Sequence, residues 1–315
     1  MIDQVKMKAL VRTVDGLQMR HEVAVPHPKT GEVLIKVLAF TLAQEEALPL
    51  PIGAKGERIV GRGVAGKIIA VGPDVPAWRL GDLVIIDPGL GSKEGTDGLM
   101  GVDRDGGACE YIVTTAFDAC TVSSALGLET VSLLASYYSL ADRVLTWARL
   151  YPDESILILG AEQGSGPAAV ELAVKKRAKV YAEGQNWSHG SLAALGAEPI
   201  ATPGDLSGMK VNVIADFRQK CSWKDCLSHL LSDGVYVSYE GDIVRHSADP
   251  VSALVDPDIF TTETLEHLAR AAELGRITPK AARALSFDEV ATRSKDLFVP
   301  QQLGPTIVTM PVEGS

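Results

Sequence analysis

The residues with the most specific chemistry are three glycines, Gly160, Gly164 and Gly166, in the segment ILILGAEQGSGPAAVELA (156–173). They follow a short apolar run that suits a buried strand, and Pro167 stands where a helix would begin. Glycine lets the backbone approach a phosphate closely, and N–H groups at a helix start attract its negative charge. We expect a pyrophosphate site here, with an ordinary glycine-rich turn as the alternative. Its candidate cofactor-binding residues are Gly160, Ala161, Gln163, Gly164, Ser165 and Gly166.

A second group of candidates ends the next apolar run, AKVYAE (178–183), and comprises Glu183, Gly184, Gln185 and Asn186. In dinucleotide-binding folds an acidic residue at the end of the second strand binds the ribose hydroxyls. Glu183 is one candidate for that role. The alternative is a solvated carboxylate at the end of a strand.

These candidates need elements that bring strand ends together, and the second half of the chain predicts them. Short apolar runs alternate with helical patterns there, which indicates βαβ units and a parallel sheet. The predicted strands are 155–159, 178–183, 211–217 and 235–240, and the predicted helices between them are 167–177, 188–195 and 222–231. The first 120 residues instead show β texture, with predicted strands at 5–13, 31–40, 60–71, 83–86 and 109–114. A helix at 261–274 and a strand at 306–310 complete the pattern.

Length and composition limit the classes of protein that this chain can represent. Its 315 residues suit two domains, and a net charge of −10 argues against nucleic acid or an anionic membrane as partner. The 4 cysteines, Cys109, Cys120, Cys221 and Cys226, contain no C-x-x-C pair and are typical of reduced thiols in a cytoplasmic protein. The start of the sequence has no secretory pattern, and the apolar stretch 131–147 carries Asp142 and Arg143, so we expect no membrane span.

Five segments, in this order and spacing, resemble the medium-chain dehydrogenase/reductase superfamily. They are GRGVAGKIIAVGPDVPAWRLGDLVI (61–85), GGACEYIV (106–113), LGAEQGSG (159–166), LAALGAEPI (192–200) and ELGRITP (273–279). The resemblance implies an α/β fold in which a Rossmann nucleotide-binding domain, a doubly wound parallel sheet, is inserted into a GroES-like β-barrel catalytic domain. We expect the catalytic domain at 1–122 and 258–315 and the Rossmann domain at 123–257.

The departures from the family pattern concern metal binding first. Ala43 and the segment Gly61–Arg62–Gly63 stand where zinc-dependent members carry ligands, and the 88–107 loop has no cysteine for a structural zinc. We therefore expect no metal site, and the resemblance narrows to the zinc-free quinone and enoyl reductases. Gln163 replaces the middle glycine of the turn and Pro305 a family lysine, and both changes put catalysis in doubt.

Without zinc, hydrogen-bond donors must stabilise the negative charge that develops on a substrate during hydride transfer. The candidate catalytic residues are Thr41, Gln44 and Ser139; the alternatives are an exposed acidic turn at 44–46 and, for Ser139, a small residue in a helix core. The main hypothesis is an NAD(P)H-dependent reductase of a small activated alkene, quinone or ketone. The second is a catalytically reduced relative that binds nucleotide or a partner protein without turnover.

Cofactor choice and assembly complete the expectations. Counting from Gly166, the position of the ribose-binding acid in NAD-using relatives falls on Gly184, which leaves room for a 2′-phosphate. Gln185, Asn186 and Ser188 are possible donors to that phosphate, so NADP(H) is expected over NAD(H). A homodimer is expected through the edge of the strand VYVSYE (235–240), because exposed strand edges seek partners.

Overall fold

The computed structural model describes residues 5–43, 46, 48–50, 56–86, 88–89, 98–218, 226–239, 243–247, 261–292 and 303–311. The chain divides into two compact units. The first unit comprises Met1–Ser136, Thr261–Val299 and Pro305–Ser315, and the second comprises Tyr137–Phe260 and Pro300–Gly304. The sequence texture suggested changes of domain after residues 122 and 257, whereas the units change after Ser136 and Phe260.

Strands dominate the chain up to residue 121, and strands alternate with helices from Leu128 to Leu206. The strands are β1 (Lys6–Thr13), β2 (Gly16–Ala24), β3 (Glu32–Leu42), β4 (Arg58–Ile59), β5 (Arg62–Val71), β6 (Leu83–Ile86), β7 (Tyr111–Thr115), β8 (Ala119–Thr121), β9 (Ser155–Leu159), β10 (Lys179–Glu183), β11 (Glu198–Ile200), β12 (Val211–Asp216), β13 (Leu230–Tyr239), β14 (Ile243–Ser247), β15 (Arg283–Ser286) and β16 (Thr306–Thr309). The α-helices are α1 (Leu128–Leu133), α2 (Ser139–Trp147), α3 (Gly166–Lys175), α4 (His189–Ala194), α5 (Thr261–Glu273) and α6 (Phe287–Thr292). A π-helical turn covers Leu134–Tyr138.

The first unit is built on two sheets. A three-stranded antiparallel sheet has the order β2-β1-β4, and a seven-stranded sheet has the order β15-β16-β3-β5-β6-β8 with β7 also paired to β3. β3 and β5 form the longest ladder of the seven-stranded sheet, and their register places Thr41 directly opposite Arg62. Because directly opposed residues in an antiparallel pair point to the same face, these two side chains share one face of the sheet.

The second unit is a six-stranded sheet with the order β11-β10-β9-β12-β13-β14. All neighbouring strands are parallel except β13 and β14. From β9 the chain adds β10 and β11 on one side of the sheet, and it then returns to add β12 and β13 on the other side. The boundary between β9 and β12 is therefore a topological switch point, where open α/β sheets bind ligands at the carboxyl ends of their strands. The near-continuous apolar run of β9 follows from burial on both faces, since Ile156 to Leu159 are all fully buried.

Two sequence expectations are wrong in this part of the chain. The helix predicted over 222–231 does not reach its end, because β13 begins at Leu230 and residues 227–229 form a short 3₁₀ turn. Leu230 is buried and pairs with Val211, so packing against β12 overrides the local helical pattern. The strand at 235–240 is also not an edge, since β14 pairs with it from Val235 to Tyr239.

Each unit has its own apolar core. In the first unit the core lies between the sheets and includes Leu10, Ile35 and Phe40, with the ring of Phe287 packed edge-on against Phe40 at a centroid distance of 6.0 Å. In the second unit the core includes Leu157, Tyr181 and Tyr236. None of the helices in the described residues combines the length and the apolar composition that a bilayer crossing requires.

Candidate functional site

The glycine turn joins β9 to α3, and two of its glycines are required by close packing. Gly160 has φ +68°, and a Cβ there would lie 2.8 Å from Cγ of Arg218. A Cβ on Gly166 would overlap the carbonyl oxygen of Gly160, so this glycine lets α3 start directly against the strand end. Both roles match those of the first and third glycines of a dinucleotide-binding turn.

The apex of this turn is open. Gln163 and Gly164 are exposed, and a Cβ on Gly164, at φ +49°, would meet no atom within 4 Å. The N–H of Gln163 is bonded to Gly160 O and that of Gly166 to Gln163 O. Ser165 directly precedes α3, so the amino-terminal end of this helix follows the open apex. The turn therefore combines a tight strand end, an open apex and a helix start, although Gln163 replaces a glycine.

Glu183, the predicted ribose ligand, is engaged within the protein. Its Oε2 accepts the N–H of Gly160 at 2.8 Å, and its Oε1 pairs with Arg218 Nη1 at 3.0 Å. Arg218 also forms a bidentate pair with Asp216, with both N–O distances 3.1 Å. These three side chains cross the carboxyl ends of β10, β9 and β12. Glu183 is therefore part of a hydrogen-bonded ion-pair cluster that links the ends of these strands.

Asp216 has a further donor. The buried Tyr236 hydroxyl donates to Asp216 Oδ2 at 3.0 Å. Burial, followed by the charge of Asp216, raises the pKa of Tyr236 above its ordinary value, so this phenol stays protonated and keeps donating.

Gly184 does not leave the open space that the sequence suggested for a phosphate. A Cβ on Gly184 would lie 2.6 Å from Oε2 of Glu162 and 2.6 Å from Oγ of Ser188. That same carboxylate oxygen accepts the N–H of Gln185 and, at 3.0 Å, the hydroxyl of Ser188. The backbone N–H of Gln185 and the hydroxyl of Ser188 therefore both bind a carboxylate of the protein itself. Asn186 is exposed at the start of a short 3₁₀ turn beside them.

In the first unit, the candidate Thr41 lies at the end of β3 and is 1% exposed. Its hydroxyl is 2.9 Å from that of Ser136, which in turn lies 3.4 Å from the carbonyl oxygen of Ser132. Arg62, opposite Thr41 on β5, adds a positive charge to this face. The structure thus groups one predicted residue, Thr41, with two polar residues that sequence reasoning did not select as catalytic.

Glu46 lies beside this group and is 1% exposed. Its Oε2 accepts the N–H of Ala43 and its Oε1 that of Gly61, both at 2.8 Å. Arg62 Nε lies 3.9 Å from the same carboxylate. The expected alternative of an exposed acidic turn is therefore wrong for Glu46, because its buried carboxylate accepts the N–H groups of Ala43 and Gly61.

A zinc ion does not fit these residues. At the positions where the family resemblance would place zinc ligands, this chain has Ala43, Arg62 and Gly63, and the nearby Glu46 carboxylate is already bonded to two N–H groups. A guanidinium in the site repels a dication. Within the described ranges, no three His, Cys, Asp or Glu side chains cluster as metal ligands would.

Two further residues were predicted to be catalytic, Ser139 and Gln44. Ser139 is fully buried at the start of α2 and belongs to the second unit. Gln44 lies outside the described residues. The residues missed by sequence reasoning, Glu162 and Arg218, gave one weak signal each: a charged side chain inside a glycine turn, and a cation directly after an apolar strand.

Comparisons with known proteins agree with this architecture. The family profile of the Alcohol dehydrogenase GroES-like domain matches residues 29–124. An NAD-dependent alcohol dehydrogenase of Sulfolobus acidocaldarius is 30% identical over 190 residues, 53% of this chain and 55% of that protein. The chloroplastic quinone-oxidoreductase QR1 of Triphysaria versicolor is 28% identical over 186 residues, 57% of this chain and 54% of that protein.

These matches support the resemblance of the chain to the medium-chain dehydrogenase/reductase superfamily. It spans about half the length of the curated relatives that it matches. Among solved structures, a thermostable alcohol dehydrogenase from Pyrobaculum aerophilum superposes with a TM-score of 0.80 at 21% identity, covering 97% of this chain and 100% of that one. A cobalt- and zinc-bound structure of a thermostable alcohol dehydrogenase from the same organism has a TM-score of 0.79 at 22% identity, over 97% of this chain and 100% of that one. These likenesses establish the fold of a GroES-like domain with a Rossmann-type sheet.

Proposed function

We propose that this protein is a nicotinamide-dependent oxidoreductase that works without zinc. The observation that carries the proposal is the turn after β9, where Gly160 and Gly166 are required by close packing and Gly164 faces open space. That turn lies at the switch point of a sheet with the order of a dinucleotide-binding fold. Relatives named as an NAD-dependent alcohol dehydrogenase and a quinone-oxidoreductase support the same class of reaction.

Each region has a distinct task in this proposal. The start of α3 holds the pyrophosphate of the dinucleotide through backbone N–H groups, and the bound dinucleotide supplies or accepts the hydride. In the first unit, the guanidinium of Arg62 stabilises the negative charge that develops on a substrate oxygen, and the buried Thr41–Ser136 hydroxyl pair packs against Gly63 next to it. We propose a small activated alkene, quinone or ketone as substrate. A fixed guanidinium replaces the Lewis acid that other members of the superfamily use.

A second candidate function is nucleotide binding without turnover. Three departures from the family pattern favour it: Gln163 in place of the middle glycine, Pro305 in place of a lysine, and Ala43, which has no polar side chain. We also propose a homodimer, now through β14, since this strand covers β13 and is the last of the described strands in the sheet. Light scattering at tens of micromolar tests the dimer, and a monomer would refute it.

The experiment that tests the function starts with NADH and NADPH titrations followed by nicotinamide fluorescence. Consumption of either cofactor is then measured with a panel of enones, quinones and ketones. Turnover supports the oxidoreductase, whereas binding without turnover supports the second candidate. Closed four-ligand sites retain zinc tightly during purification. Because we propose that this protein lacks such a site, elemental analysis of the purified protein should find less than about 0.2 equivalents of zinc.

Arg62 provides the test of zinc-free chemistry. We expect Arg62→Met to lower kcat about a hundredfold with little change in nucleotide affinity, the scale of losing one preorganised donor. Arg62→Lys, which keeps the charge, should retain part of the rate. Lys67→Met is the matched control, because Lys67 is exposed on the same strand. An unchanged kcat in Arg62→Met would refute this role.

A further inference from the structure

The carboxyl end of β10 lacks the usual acidic ribose ligand. In dinucleotide-binding folds, an acid at this strand end accepts hydrogen bonds from the ribose hydroxyls. Glu183 is instead engaged within the protein, because its two oxygens bind Gly160 N–H and Arg218 Nη1 at 2.8 and 3.0 Å and its charge is paired with that of Arg218. The next residue is Gly184, which has no side chain. A strand that ended in this way would leave the ribose without a carboxylate.

The fingerprint turn itself supplies a carboxylate at that place. Oε2 of Glu162 lies 2.6 Å from where a Cβ on Gly184 would be. The Glu162 carboxylate therefore lies next to the place where an acidic side chain at position 184 would begin. Gly184 is required for this arrangement, since any larger residue would displace Glu162 or Ser188.

Glu162 is fixed but only partly used. The side chain is 8% exposed, and its Oε2 accepts the Gln185 N–H and the Ser188 hydroxyl. Its Oε1 receives no hydrogen bond from the described residues. A carboxylate held by one oxygen, with the second left to accept, is oriented for a ligand that donates hydrogen bonds.

The charges around this point decide which ligand that is. Glu162, Glu183 and Asp216 contribute three negative charges, and Arg218 contributes one positive charge that is already paired with two of them. His189 faces the same strand end, but its Nε2 is 2.9 Å from the carbonyl oxygen of Gly184. A neutral ribose diol can donate to Glu162, whereas a 2′-phosphate would meet a carboxylate in a partly dehydrated site.

We propose that Glu162 is the residue that selects the nucleotide ribose, so that this site takes adenosine nucleotides whose 2′-hydroxyl is free, NAD(H) rather than NADP(H). The carboxylate comes from the glycine turn instead of the second strand. The proposal rests on the proposed dinucleotide function for the identity of the ligand, and it reverses the NADP(H) preference expected from the register of Gly184.

The test compares dissociation constants for NADH, NADPH, ADP-ribose and 2′-phospho-ADP-ribose in the wild type and in four variants. The wild type should bind NADH and ADP-ribose at least tenfold tighter than their 2′-phosphates, a gap of about 1.4 kcal/mol. Glu162→Gln, which keeps the shape and loses the charge, should narrow both ratios to within threefold. Glu162→Ala should do the same, and Glu162→Ala combined with Gly184→Asp should restore the preference by returning a carboxylate to the strand.

Glu154→Gln is the matched control. Glu154 directly precedes β9, at the amino-terminal end of that strand and away from the glycine turn, and its substitution changes the net charge equally. The control should keep the wild-type ratio. An unchanged ratio in Glu162→Gln, a wild type that prefers the 2′-phosphates, or a wild type that binds none of the four probes would overturn the proposal. Selective ADP-ribose binding without any turnover would support the role of Glu162 while the proposed oxidoreductase function fails.

Discussion

Glu46 and Glu162 are both buried carboxylates that accept backbone N–H donors, one in each unit, yet they leave different chemistry available. Glu46 accepts an N–H with each oxygen and has Arg62 beside it. Glu162 receives its described bonds on Oε2. The same residue type is thus a structural brace in one region and a candidate ligand in the other.

The glycines around them differ in the same way. Gly63 and Gly164 have nearly equal backbone angles, φ +48° and +49°. A Cβ on Gly63 would overlap the Ser132 carbonyl oxygen and lie 2.6 Å from Thr41 Oγ1, whereas one on Gly164 would meet nothing within 4 Å. The region of the first unit around Gly63 is therefore filled by its own atoms, and the turn of the second unit is open. This contrast indicates that a ligand can be accommodated at the turn without repacking.

Alanine at these two glycines should produce the largest difference. Both variants bear left-handed strain of about 1–2 kcal/mol, and Gly63→Ala adds an overpacking cost of about 1–3 kcal/mol. We expect Gly63→Ala to lower the free energy of unfolding by about 4 kcal/mol and Gly164→Ala by about 1 kcal/mol. Urea denaturation followed by circular dichroism measures both, and equal losses would contradict the contrast between a filled and an open region.

Removing the two carboxylates should give the next largest difference. Glu46→Ala removes the acceptor of the Ala43 and Gly61 N–H groups and a negative charge beside Arg62, which costs about 3 kcal/mol. Glu162→Ala should cost about 1 kcal/mol, because Gln185 is exposed and water can replace the lost acceptor for its N–H. The same denaturation assay applies. A Glu162→Ala variant less stable than Glu46→Ala would mean that Glu162, not Glu46, is the structural brace.

The reactivity of two buried thiols in the first unit, Cys109 and Cys120, tests the closed interior of that unit without changing its sequence. Burial, then the charge of Asp105, raises the pKa of Cys109 to about 12, and burial, then the charge of Glu266, raises that of Cys120 to about 11. At pH 8 both stay protonated in the folded protein, and we expect iodoacetamide to modify them at least a hundredfold more slowly than in urea. A Gln163→Cys variant should react at the rate of an unfolded thiol, because position 163 is exposed. Peptide mass spectrometry assigns each site.

The same thiols set the sign of a pH effect on stability. Their pKa values are raised in the folded state, so their contribution to stability is complete below the unfolded value of 9.0 and falls as the pH rises towards 11 and 12. Cys109→Ala and Cys120→Ala should each flatten the loss of stability between pH 9 and pH 11. A wild type that is equally stable at both pH values would contradict the closed environment assigned to the two thiols.

Local sequence was sufficient for the elements around the glycine turn. The apolar run 155–159 and the glycines at 160 and 166 predict a strand, a tight turn and a helix start, because these depend on neighbours along the chain. The predicted helix at 167–177 corresponds to α3 at Gly166–Lys175. The β texture of the first 120 residues and the final strand were likewise readable, since their alternation reflects a sheet with one buried face.

Only the tertiary structure determined which groups the charged side chains contact. The sequence by itself determined that an acid was missing at Gly184 and that no zinc ligands stood at Ala43 and Arg62. Residues 162 and 184 are joined only when β9 and β10 pair side by side, and Thr41 meets Arg62 only through the register of β3 and β5. A flexible glutamate can reach any of several neighbours, so its partner depends on the packed fold rather than on its position in the chain.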